Sequence, residues 1–189
     1  MAIYFSDGTT QSSAAGGKIL QVKTFQKTDF PTYSPDTQLV FKDTGMTLSI
    51  TPSATSSKIL VSFVLFGDFS GDASNHYLRI KRAISGGSTS YITAADQGNR
   101  VGTLFIGAMG NSESSGDRPT ICTMSDYLDS PSTTSAITYT VQHTSHGAAS
   151  FYLNRSSDTD NQDAREDGIS WLVLKEVACL LYTSPSPRD

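Results

Sequence analysis

Ile59-Leu60-Val61-Ser62-Phe63-Val64-Leu65-Phe66 is the stretch on which the fold turns. Its β-branched and aromatic content favours an extended chain, in which successive side chains point to opposite sides. Ile59, Val61, Phe63 and Leu65 then line one face, and Leu60, Val64 and Phe66 the other. A strand of a two-sheet sandwich needs only one apolar face. The same doubling occurs in Val101 to Met109, where Phe105 and Met109 oppose Leu104 and Ile106, and in the last strand, where Ile169, Trp171 and Val173 oppose Leu172 and Leu174. A lone sandwich would leave more apolar surface in water than soluble monomers usually carry. A second copy is the simplest cover, so the pattern predicts a homo-oligomer, a homotrimer, with these outer faces in its interface. The alternative is an enclosing loop of the same chain.

Working outward, strands are predicted at Ile19 to Phe30, Gln38 to Phe41, Met46 to Thr51, Lys58 to Phe66, Asn75 to Ile84 and Val101 to Met109. Further strands follow at Thr120 to Leu128, Ala136 to His143, Ser150 to Asn154 and Ile169 to Val177. This regular spacing, broken by turn residues, predicts an all-β sandwich or barrel. No segment repeats apolar residues at helical spacing over three turns, so little helix is expected. Pro52-Ser53-Ala54-Thr55-Ser56 and Pro131-Ser132-Thr133-Thr134-Ser135 each lead into a strand. Proline ends a ladder, and the hydroxyls are expected to bond locally in the turn. Residues 1–17, Ser-, Gly- and Ala-rich after Ile3 to Phe5, read as an arm or linker, and 18–178 as the domain.

The chain has 189 residues, 37% of them hydrophobic and only 17% charged. A domain of that size buries roughly 70% of its unfolded surface, enough for a core without staples. The net charge of -4 comes without any run of Lys or Arg, which argues against nucleic acid as a partner. Met1 to Asp7 shows neither a cationic nor an apolar region of a signal peptide, and the longest apolar run is far short of a membrane helix, so no membrane insertion is expected.

The last eleven residues, Cys179-Leu180-Leu181-Tyr182-Thr183-Ser184-Pro185-Ser186-Pro187-Arg188-Asp189, shift composition abruptly. They resemble translated sequencing adapter: TGTCTCTTATACACATCT reads as the first six and CCGAGCCCACGAGAC as the last five. With that stretch set aside as a scar, the natural C-terminus is expected to lie elsewhere. Cys122 is then the one remaining cysteine, which leaves no intrachain disulfide and reads as a small apolar residue.

Several strings together resemble a family of small structural proteins of marine tailed phages. They are Gly17-Lys18-Ile19-Leu20-Gln21-Val22, Gly45-Met46-Thr47-Leu48-Ser49-Ile50-Thr51-Pro52 and Thr55-Ser56-Ser57-Lys58-Ile59-Leu60-Val61. Leu78-Arg79-Ile80-Lys81-Arg82, Leu128-Asp129-Ser130-Pro131, Thr138-Tyr139-Thr140-Val141-Gln142 and Asn154-Arg155-Ser156 belong with them, as does the opening Met1-Ala2-Ile3-Tyr4-Phe5-Ser6-Asp7-Gly8-Thr9. The resemblance implies a tail-fibre or virion-surface role, localisation in the virion alongside other virion proteins, and an antiparallel jelly-roll β-sandwich similar to trimeric C1q and tumour-necrosis-factor domains.

Catalytic signatures are sparse. There is no Gly-x-Ser-x-Gly, and the histidines are His76, His143 and His146. His143 and His146, three apart, would point to opposite faces rather than share a metal, and are expected at the surface. No Cys-x-x-Cys, Walker or Gly-x-Gly-x-x-Gly string occurs, so no cofactor is expected. The acidic run Asp158 to Gly168 offers oxygens but puts Asp163 where a calcium loop needs Gly, and reads as a solvated turn. Asp158, Asp160 and Asp163 are its candidate binding residues, and no metal site is expected. Asn154-Arg155-Ser156 satisfies the glycosylation sequon, without functional weight. Loops 67–74, 85–100, 111–118 and 156–167 are the candidate contacts to a host-surface glycan or protein. The expectation is a non-enzymatic fibre module with a host-attachment role. A jelly-roll carbohydrate-active enzyme would need two facing carboxylates, and Glu176 is the single glutamate on a predicted strand. A secreted C1q-like binding module is the third reading.

Overall fold

The computed structural model describes residues 3–4, 10–11, 18–33, 39–69, 76–107, 120–146, 150–157 and 167–178. These contain no helix. Their strands, in chain order, are β1 (Ile3–Tyr4), β2 (Thr10–Gln11), β3 (Ile19–Lys27), β4 (Thr32–Tyr33), β5 (Lys42–Ile50), β6 (Lys58–Phe69) and β7 (His76–Ile84). Then come β8 (Thr89–Ile92), β9 (Phe105–Gly107), β10 (Thr120–Asp129), β11 (Ile137–Ser145), β12 (Phe151–Leu153) and β13 (Ser170–Val177).

Two antiparallel sheets face each other. In the six-stranded sheet β6 is central, with β13 and then β3 on one side, β12 and β4 continuing that side further along, and β10 on the other. The five-stranded sheet runs β5-β11-β7-β8, with β9 also against β7. The chain changes sheet between β4 and β5, β5 and β6, β6 and β7, β9 and β10, β10 and β11, and β11 and β12. That repeated crossing makes the sandwich a jelly roll. Among the described residues, β1 and β2 pair only with each other.

Alternation builds the core. Ile59, Val61, Phe63 and Leu65 of β6 and Leu172 and Leu174 of β13 point inward against Met46, Ile50, Ile80, Tyr139 and Val141 of the facing sheet, and all are buried. Burying each such side chain contributes about 1.5–3 kcal/mol. Polar staples join the sheets at one end. Asp129 of β10 accepts from Arg82 Nη1 of β7 at 2.6 Å and from the buried Tyr139 hydroxyl of β11 at 2.7 Å. Glu176 lies near that end of β13, opposite Ile59.

Several expectations need correction. Leu39 to Phe41 form no strand: Leu39 sits in the left-handed region with φ 61° and donates its N–H to the Ser145 carbonyl, which ends any extended run. β5 begins at Lys42, before the predicted Met46, because a bulge hides its alternation. There Gly45 takes φ 74°, and the Thr44 hydroxyl reaches the Val141 carbonyl at 2.8 Å. A glycine carries that φ without steric cost. Of the described residues in the predicted strand Val101 to Met109, only β9 is strand. Before it, Leu104 N–H donates to the Leu78 carbonyl and Ala94 N–H to the Thr103 carbonyl, in an irregular connection. The hydroxyl of Ser53 does not close its own turn but bonds Glu176, whereas Thr133 bonds Ser135 N–H locally as expected.

Candidate binding surfaces

The acidic candidates Asp158, Asp160 and Asp163 lie outside the described residues, as do loop 111–118 and most of 156–167. Among the described residues, no group of three or more His, Cys, Asp or Glu side chains is placed to hold a metal ion. No helix among them is long and apolar enough to cross a membrane. Loop 85–100 is corrected in part: 89–92 is strand β8, reached from β7 by a hairpin in which Ile84 N–H donates to the Ser88 carbonyl.

His143 is corrected too. It is buried on the inner side of β11, its ring 5.1 Å from Tyr33 and 4.8 Å from Phe151. Its Nε2 has no hydrogen-bond partner among the described residues. Burial, with nearby His76 and Lys42, pushes its pKa down to about 4. His146, three residues on, is exposed, as the extended geometry requires.

Glu176 is fully buried. Burial alone would raise its pKa, but donors from Ser53, Ser57 and Gln21 hold it down to about 2. Ser53 N–H and hydroxyl reach Oε1 at 2.7 and 2.6 Å, and Gln21 Nε2 reaches Oε2 at 2.7 Å. A carboxylate so saturated pins the 52–57 turn and has little basicity left for proton transfer. The sequon asparagine, Asn154, is also fully buried: its Nδ2 donates to the Lys27 and Asp29 carbonyls, and its Oδ1 accepts from Ser170.

The two outward faces differ. On the six-stranded sheet, register places Leu128 beside Leu60, Val64 beside Trp171, and Val22 beside Lys175. Leu128 is 55% exposed, Val22 52% and Trp171 41%. Leu60, Val64 and Val173 are half-buried. Phe66 is covered by the chain itself, since a Cβ at Gly168 would lie 2.5 Å from its ring. Three polar members of this face satisfy one another: Asp126 accepts from Ser62 Oγ at 3.0 Å and from Lys175 Nζ at 3.2 Å.

On the five-stranded sheet the outward residues include Asp43, Thr47, Ser49, Arg79, Lys81, Tyr91, Thr138, Thr140 and Gln142, in cross-strand rows. The Arg79 guanidinium lies between two rings, 3.8 Å from the Phe41 centroid and 3.7 Å from that of Tyr91. Its Nε donates to Gln142 Oε1 at 2.8 Å, and Gln142 Nε2 donates to Asp43 Oδ1 at 2.6 Å. Lys81 Nζ meets both Asp43 oxygens, at 2.8 and 2.6 Å. Burial works to raise the Asp43 pKa, but these donors leave it lowered. Sequence reading missed this cluster. The signal available was Arg79 and Lys81 alternating with Leu78 and Ile80.

No protein-family model matches the sequence, and no curated protein matches it. Among solved structures, it is similar to one described as the structure of infectious bursal disease virus Gx strain, with TM-score 0.38, 11% identity, and coverage of 85% of this chain and 37% of that one. It is also similar to the infectious bursal disease virus VP2 subviral particle, with TM-score 0.35, 10% identity, and coverage of 89% and 41%. The chain thus spans about two-fifths of the length of each.

Proposed function

We propose that this jelly roll is a non-enzymatic virion structural module, of the tail-fibre or surface-appendage kind, that assembles with copies of itself, as a homotrimer, and contacts a host-surface glycan or protein. The observation that carries the proposal is the outward face of the six-stranded sheet, where Val22, Leu128 and Trp171 stand open beside Leu60, Val64 and Val173. A second copy suits that face because its charged pair, Asp126 and Lys175 joined with Ser62, is already internally bonded and costs little to cover. Aromatic and aliphatic anchors of this kind dominate interface energetics. The resemblance of the sequence strings to marine-phage structural proteins supports the virion setting.

The enzyme reading finds little support, since the buried carboxylates Glu176 and Asp129 are taken up by structural donors. Light scattering on the full chain after size exclusion tests the assembly. A trimer mass is expected, and a clean monomer at micromolar concentration would overturn it. Binding to a glycan array or to whole cells tests the adhesive role, and blanks in both would leave a purely structural decoration.

A further inference from the structure

We propose that the outward face of the five-stranded sheet binds the carboxylate of an acidic sugar, with Arg79 as the anchoring group. This names the ligand class for the glycan contact proposed above and rests on that part of the reading. Self-assembly through the opposite sheet does not depend on it.

The geometry of Arg79 carries the argument. Both flat sides of its guanidinium are occupied, by Phe41 at 3.8 Å and Tyr91 at 3.7 Å, and its Nε is committed to Gln142. Gln142 is only 6% exposed and is itself fixed by Asp43, so the guanidinium plane cannot swing. Nη1 and Nη2 donate to no described residue. The donors left over are those at the edge of the fork, set in one plane, the arrangement that pairs bidentately with a carboxylate. The side-chain entropy normally lost on binding has been lost in folding, so a ligand gains more of each bond.

Charge agrees with an anion. Asp43 is met at both oxygens by Lys81, which leaves the positive charge of Arg79 in excess within the trio. Asp96 is the competing group, near enough to favour the charged guanidinium electrostatically.

The surroundings favour a sugar over an acidic peptide. The neighbouring rows are hydroxyls paired across strands, Thr47 with Thr140 at 3.1 Å and Ser49 with Thr138 at 2.8 Å, each with bonding capacity left for a polyol. Tyr91, across Lys81 from Thr140, is 46% exposed, so part of its ring is open to the C–H side of a pyranose.

The test is calorimetric titration of the full chain with tetragalacturonate, its fully methyl-esterified form, and a poly-glutamate peptide, with Arg79→Gln and Arg79→Lys variants alongside. Saturable binding of tetragalacturonate is expected, weakened about 10- to 100-fold by Arg79→Gln and by esterification, the range for losing hydrogen bonds to a charged group. Arg79→Lys keeps charge and fold but lacks the fork, and is expected to lose most of the binding as well. Asp96→Asn is expected to tighten binding. Equal binding of the ester, unchanged binding by both Arg79 variants, or stronger binding of poly-glutamate would each overturn the proposal. Glycan binding that ignores Arg79 overturns this site and leaves the adhesive reading standing, no binding of any glycan on the array overturns this site, and a blank with whole cells as well overturns the adhesive reading too.

Discussion

The outward side of the six-stranded sheet and the outward side of the five-stranded sheet arise from the same alternation, yet one presents Val22, Leu128 and Trp171 and the other Thr47, Thr140, Arg79 and Gln142. Both sheets contribute equally well-buried side chains to the shared core, so the stability of the subunit cannot be the reason for the contrast. What differs is what each face meets. An apolar face is costly in water and gains from cover, while a face of paired hydroxyls and a clamped guanidinium is already satisfied in water. On the reading proposed above, assembly falls to the first side and ligand contact to the second.

The strongest way to break the comparison is to release the sheets from each other. Asp129→Ala leaves Arg82 and the Tyr139 hydroxyl without their acceptor, and is expected to cost about 3–5 kcal/mol in denaturant unfolding. Next comes acid. His143 titrates near 4 when folded against 6.5 unfolded, so its contribution is complete above pH 6.5 and is lost as pH falls toward 4. The expected loss is about 3 kcal/mol, and His143→Phe should flatten that part of the stability profile. Glu176, held down to about 2, loses its contribution in a separate and lower window, below its ordinary value of 4.5.

Two further substitutions sharpen the contrast between faces. Trp171→Arg is expected to weaken self-association by about 2 kcal/mol or more, read by light scattering, with little change in the melting of the subunit. Thr138→Arg, on the opposite face, is expected to leave the mass unchanged, and loss of assembly in both would erase the distinction. Lys81→Met, at a half-exposed ion pair, should alter stability by less than about 1 kcal/mol.

The sequence made the fold legible where alternation is unbroken. In β6 and β13 alternation separates the two apolar faces, and the structure supplies which one is inward: Ile59, Val61, Phe63, Leu65 and Leu172, Leu174, with Trp171 on the outer side. It was illegible where the backbone departs from the pleat: at the Gly45 bulge, at left-handed Leu39, and in 101–104, whose apolar residues mimic a strand while the chain follows an irregular path. The buried position of His143 was hidden because its partners, Tyr33 and Phe151, come from β4 and β12. The Arg79 clamp was illegible for the same reason: Phe41, Tyr91 and Gln142 converge on it from three separate stretches, one of them read as loop.

The bulge at Gly45 has a consequence for how copies meet. β5 is the terminal strand of its sheet, and a terminal strand normally offers a row of unsatisfied backbone groups on which another chain can extend the ladder. Here the kink interrupts that row midway, and the Thr44 hydroxyl turns inward to Val141. Open-ended side-by-side growth into fibrils is thereby discouraged on this flank.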